Sequence, residues 1–155
     1  MSGKGGINVL FLIGYNAKML PSIDILQENF ASLDDWEVRY GYVLDLGKKL
    51  APLPDSDKVE ANSVRGCTAK VWLVATDAGP GRVAFRADSD AHLVRGLIAI
   101  LSVVYNGQTH AHVRDFNIEK YFESLGLAEH LTPNRRNGFF AMVEKIKSLT
   151  AKVVS

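Results

Sequence analysis

The stretch ANSVRGCTAKVWLV, residues 61–74, holds the single cysteine of the chain, Cys67. Free cysteine is most often a small buried hydrophobe, and a packing cysteine belongs inside an apolar run. Cys67 instead follows the polar NSVRG and precedes Thr68. Gly66 permits a sharp turn or the close approach of another backbone, which places the thiol at a tip between two strands. Arg65 and Lys70 flank it and favour the thiolate, the form that acts as nucleophile; an unperturbed thiol, with a pKa of about 8.5, is mostly protonated at neutral pH. On local context alone a reagent and a packing atom are both open.

Four histidines, His92, His110, His112 and His130, raise the question of a partner for the sulfur. A stand-alone cysteine hydrolase or transferase would pair Cys67 with His92 or His130 and needs an imidazole nitrogen within hydrogen-bond reach of the thiol. His110 and His112 could chelate a metal, yet they lie in the connection NGQTHAHVRD with no second cysteine or carboxylate set, so solvated loop histidines are expected. The GPGR turn lacks the glycine spacing of a phosphate-binding loop. In PNRRNG, Arg135 and Arg136 occupy the first turn of an expected helix, where positive charge opposes the macrodipole, which points to a partner or a nearby carboxylate. A lone cysteine also excludes a self-sufficient iron–sulfur site.

The elements that must position these groups follow from periodicity. A helix around residues 22–30 buries Ile23, Leu26 and Phe30. A second, from about Asp35 to Lys49, opens on a capping box of Asp34 and Glu37, with Trp36, Tyr40, Val43, Leu44 and Leu50 as its stripe. APLPDSD breaks the chain, and KVEANSVRGC is weakly strand-like. AKVWLVA and RVAFRAD flank the turn TDAGPG and predict an antiparallel hairpin, with Val83, Phe85 and Ala87 on one face. DSDAHLVRGLIAILSVVYNG predicts a helix capped by Asp88, Ser89 or Asp90 and ended by Gly107, with Val94, Leu97, Ile98, Leu101 and Tyr105 inward. A short helix near Ile118–Leu125 precedes a last one that Thr132 caps and Pro133 opens, burying Phe139, Met142, Val143, Ile146 and Leu149. Helices packed on one side of a small antiparallel sheet make an α+β architecture.

At 155 residues, 47% hydrophobic and 23% charged, the chain has the size and composition of one globular domain. Its net charge of +1 creates no global field for nucleic acid or an anionic membrane. One unpaired cysteine favours a reducing compartment, and a cytoplasmic protein is expected. Residues 1–19 form an extension whose apolar run, Ile7 to Ile13, is too short to span a bilayer; a frayed arm, an edge strand or a mis-set start codon are its readings. Residues 20–150 form the domain, and 151–155 a tail.

The segments LGKKLAPLP, NSVRGCTAKVWLVA, FRADSDAHLVRGLIAIL and LGLAEHLTPNRRNGFFAMV, in that order, resemble the SufE family from about Leu20 to Leu149. The resemblance implies an α+β fold like that of cluster scaffold proteins. It implies that Cys67 is the acceptor which takes sulfane sulfur from a pyridoxal-phosphate cysteine desulfurase, stimulating it, and carries that sulfur to an iron–sulfur cluster scaffold. Asp90 and Arg135 match family positions associated with loop placement and docking, and Arg65 and Gly66 belong to the loop itself. Thr68 and Lys70 depart from the more usual glutamine or serine. No cofactor of the chain's own is implied, and the sequence does not say whether a homodimer forms.

Overall fold

The computed structural model describes residues 19–154. The readings of Ile7–Ile13 lie outside the described residues. Helix α1, Ile23–Ala31, starts where the Ser22 hydroxyl accepts a hydrogen bond from the Ile25 N–H at 3.3 Å; it buries Leu26 and Phe30. Helix α2, Trp36–Lys48, is capped by Asp35 rather than Asp34, because the Asp35 carboxylate accepts from the Glu37 N–H at 3.1 Å. The expected reciprocal box gives way to this single cap. The buried face of α2 is also displaced from the expected stripe: Val43, Leu46 and Gly47 are buried while Tyr40 is exposed. Its face is set by a close crossing at Gly47 and Gly96, where a Cβ on Gly96 would collide with the Val43 carbonyl.

From Leu50 the chain runs irregularly through a short 3-10 turn at Asp55–Asp57, within the expected break, and a second at Glu60–Asn62, where weak strand was expected. Strands β1, Val71–Thr76, and β2, Arg82–Ser89, then pair antiparallel as the hairpin reading predicts, with Val71 opposite Ser89 and Trp72 opposite Asp88. Val83, Phe85 and Ala87 face the core on alternate positions. A two-residue strand, β3 (Gln108–Thr109), joins the far edge of β2, giving the order β1-β2-β3. Asn106 prepares that junction by side-chain mimicry of a strand, accepting from the Phe85 N–H at 2.8 Å and donating to its carbonyl at 3.1 Å.

Helix α3, His92–Tyr105, packs against both α2 and β2, and its run Leu97–Leu101 is buried at every position. A helix apolar on all sides belongs at the centre of a core, and each fully buried Leu or Ile contributes about 1.5–3 kcal/mol. Neither Asp88 nor Asp90 caps α3; Ala91 is the N-cap without a side-chain bond, and the Ser89 hydroxyl accepts from the Ala91 N–H one step earlier. Both carboxylates are engaged elsewhere. Helices α4, His110–Asp115, and α5, Ile118–Ser124, lead to α6, Pro133–Val154, whose Thr132 cap accepts from the Arg135 N–H at 3.2 Å. The five expected α6 core residues are all buried. No helix among the described residues is long and apolar enough to cross a membrane.

Asp88 is the one buried carboxylate among the described residues, at 1% exposure. It accepts from the Leu53 N–H at 3.0 Å and the Ser89 N–H at 2.8 Å, pairs with Arg95, and has the Lys58 Nζ at 3.6 Å. Burial opposes its ionisation, but the two N–H groups and Arg95 overcome that opposition and hold the carboxyl below its ordinary value of 3.8. The folded chain therefore binds this proton less readily than the unfolded chain. The stabilisation is complete above the ordinary carboxylate value and is lost as pH falls through the lower folded one. Urea unfolding should show stability declining across that acid window, with Asp88→Asn removing part of the decline. Asp88→Ala, which strands the Arg95 charge, should cost about 3 kcal/mol at neutral pH.

Candidate functional site

The thiol sits on a loop with a closed neck. The Val64 N–H donates to the Val71 carbonyl at 2.9 Å, and Ser63 bridges Trp72, so residues 65–70 leave and re-enter the sheet at one point. Buried Val64 anchors the incoming side. Asp90 clamps the outgoing side: its Oδ1 accepts from the Lys70 N–H at 3.1 Å, and its own N–H donates to the Lys70 carbonyl at 3.3 Å. At the tip Gly66 takes φ 92°, a left-handed conformation that a side chain would strain. Arg65 and Gly66 are exposed, and the turn directs half-buried Cys67 back against α6.

There the Sγ donates to the Gly138 carbonyl at 3.6 Å. A Cβ on Gly138 would lie 3.4 Å from the Sγ, and one on Gly66 would lie 3.3 Å from the Ala141 Cβ. Gly138 and Ala141, one helical turn apart, thus form a trough in which the loop rests. The thiol lines a cavity of about 10 Å³ walled by Val94, Leu97, Phe139 and Met142, with Asn134 and Arg135 completing it. That is space for a single water-sized atom.

Desolvation raises the pKa of Cys67 above its ordinary value. Arg65 and Lys70, which the sequence offers as able to stabilise the thiolate, do not dominate here. The Arg65 side chain is 88% exposed and 4.0 Å from Glu60, and Lys70 is exposed, so neither offsets the loss of water around the sulfur. Arg135 is different. It lines the thiol cavity, and its Nη1 is buried without a hydrogen-bond partner. A buried cationic nitrogen without an acceptor is costly, and an anion at the cavity is the group that would satisfy it.

The histidines are not at the thiol. His92 is exposed beside the groove between α2 and α3, and His130 stacks on Trp36 at 4.5 Å. His110 and His112 are not solvated loop residues as expected; both belong to α4, and the His112 Nε2 lies 2.9 Å from the Val104 carbonyl. None of the four lines the Cys67 cavity, so the hydrolase alternative lacks its imidazole there. No group of three or more metal-ligating side chains occurs among the described residues. Sequence reading missed Gly138, Ala141 and the burial of Asp88. The signal for Gly138 was present: a glycine inside a helix costs about 1 kcal/mol against alanine and so marks a close approach.

These features define a small α+β domain with one loop thiol folded back against its last helix. The family profile described as the SufE Fe-S metabolism associated domain matches residues 24–150, and the chain belongs to that family. The fold is shared with the solution structure of a hypothetical protein from Thermus thermophilus, at 24% identity and a TM-score of 0.70, over 88% of this chain and 98% of that one. The family ties the chain to iron–sulfur metabolism.

Because only the thiolate reacts and the closed loop keeps the proton on, alkylation of Cys67 in the native protein should still be rising at pH values where a free, exposed thiol has begun to level off. Gly138→Val, whose methyl groups crowd the Sγ, should make alkylation at neutral pH several-fold faster. Both are read by mass spectrometry of the iodoacetamide adduct over time.

Proposed function

We propose that the chain is a sulfur acceptor and carrier. Cys67 takes sulfane sulfur from the persulfide of a pyridoxal-phosphate cysteine desulfurase and delivers it to an iron–sulfur cluster scaffold. The observation that carries this reading is that the lone loop thiol and Arg135, a cation whose Nη1 has no hydrogen-bond partner, line one cavity. Membership of the SufE family supports it.

The chemistry needs little else. The Cys67 thiolate attacks the outer sulfur of the donor persulfide; a new S–S bond forms, the old one breaks, and the donor cysteine leaves as a thiolate. No net oxidation occurs, and the proton lost by Cys67 passes to the leaving thiolate or to water. Rates of such exchanges depend on thiolate fraction and on access. In the resting loop both are low, because the thiol is desolvated and donates to Gly138. Docking on the desulfurase would draw the loop out, restoring the thiolate. On return, the terminal sulfur of the charged persulfide occupies the small cavity, and Arg135 supplies its counter-charge.

In this reading Asp90 holds the loop neck, Gly66 makes the turn, and Arg65 at the exposed tip meets the partner. The loaded cysteine is shielded from other thiols until the scaffold engages it.

Incubation with desulfurase and cysteine should add one sulfur atom to the protein, removable by reductant and absent from Cys67→Ser. An unmodified wild-type chain under those conditions overturns the proposal. Arg135→Ala should still accept sulfur but lose it to added thiol about tenfold faster, as expected for one lost charged hydrogen bond.

A further inference from the structure

The arm that leads into the thiol loop, residues 52–64, has little to hold it by packing. Only Leu53 and Val64 in it are buried, and its two 3-10 turns are short. Polar anchors supply the rest. The Leu53 N–H donates to the Asp88 Oδ2 at 3.0 Å, and the Lys58 Nζ stands 3.6 Å from the same oxygen. The Lys58 ammonium also lies 5.7 Å from the centre of the Trp72 ring. Trp72 pairs with Asp88 across the hairpin on one side and bridges Ser63, at the loop neck, on the other. Arg86, donating to the Pro52 carbonyl at 3.1 Å, adds a tie at the start of the arm.

Asp88 is itself held on several sides. Arg95 pairs with it from α3 while donating its other nitrogen to the Gly47 and Leu50 carbonyls at 3.2 and 2.8 Å, and the Ser89 N–H fixes the second carboxylate oxygen. A rigid buried charge on the sheet therefore grips the arm at Leu53 and at Lys58, and the second grip is shared with the residue that closes the loop neck.

We propose that Asp88 is a positioning residue for Cys67: through Lys58 and the Leu53 N–H it ties the incoming arm to the sheet and thereby sets how often the loop leaves its trough on α6. The inference rests on the sulfur-acceptor reading only for its consequence, since loop opening is measurable without any desulfurase. Lys58 is the adjustable element. Its side chain is 29% exposed, so altering it spares the Asp88–Arg95 pair on which the core depends.

Three variants test this: Lys58→Met, which keeps a stem against Trp72 and deletes the charge; Lys58→Arg, which restores a cation; and Asp88→Asn. The readouts are native-state alkylation of Cys67 by iodoacetamide at low urea, the global urea midpoint, and sulfur uptake from a desulfurase. Lys58→Met should alkylate about three- to fivefold faster than wild type. That gain should be nearly independent of urea, as a local opening exposes little surface. The global midpoint should barely move, and Lys58→Arg should return the rate to that of wild type. Asp88→Asn, if folded, should exceed Lys58→Met. Alkylation of Lys58→Met at the wild-type rate, or with the steep urea dependence of global unfolding, overturns the proposal. Faster alkylation with no sulfur uptake by any form upholds the positioning role and rejects the acceptor reading instead.

Discussion

A carboxylate removed from water survives as an ion only if donors replace its hydration, and Asp88 shows what that requirement does to a small fold. Its charge is met from three places: the arm, through the Leu53 N–H and the Lys58 ammonium, its own strand at Ser89, and helix α3 at Arg95. Because Arg95 also donates to the carbonyls of Gly47, in the last turn of α2, and of Leu50 just beyond it, one ion pair ties the end of that helix, the sheet and the central helix together. The glycine crossing at Gly47 and Gly96 brings the helices close enough for this to happen. Apolar burial supplies most of the stabilisation, but it is non-directional. The polar contacts specify where the irregular arm must lie.

The thiol obeys the opposite arrangement. Nothing at its resting place replaces lost water with opposite charge within hydrogen-bond distance, so desolvation prevails and the proton stays. On the proposed function, a nucleophile stored in its protonated form is protected, and its reactivity becomes a property of loop position. Asp90 contributes by gripping the backbone of Lys70 and not by touching sulfur.

The hairpin, the central helix and the inward face of α6 were legible because each rests on a period of 2 or 3.6 read over many residues, as in Val83, Phe85 and Ala87 or in Phe139 through Leu149. That Cys67 lies on a loop was legible from its polar setting. What escaped were features made by tertiary contact. Asp88 looks like a helix cap because DSD precedes an apolar run, yet its neighbour across the fold is an arginine one helix turn beyond the cap position. The face of α2 was misjudged at Tyr40 because a glycine crossing, rather than a hydrophobic stripe, orients that helix. The charge around Cys67 was misjudged for a related reason: Arg65 and Lys70 are near in sequence, but the turn at Gly66 sends the sulfur inward and leaves them outside.

The cavity beside the sulfur is about 10 Å³. A space of that size takes one added atom beside the sulfur and nothing bulkier without movement of the loop. On the proposed reading the resting seat therefore suits a single carried sulfur, and larger groups are met only with the loop drawn out.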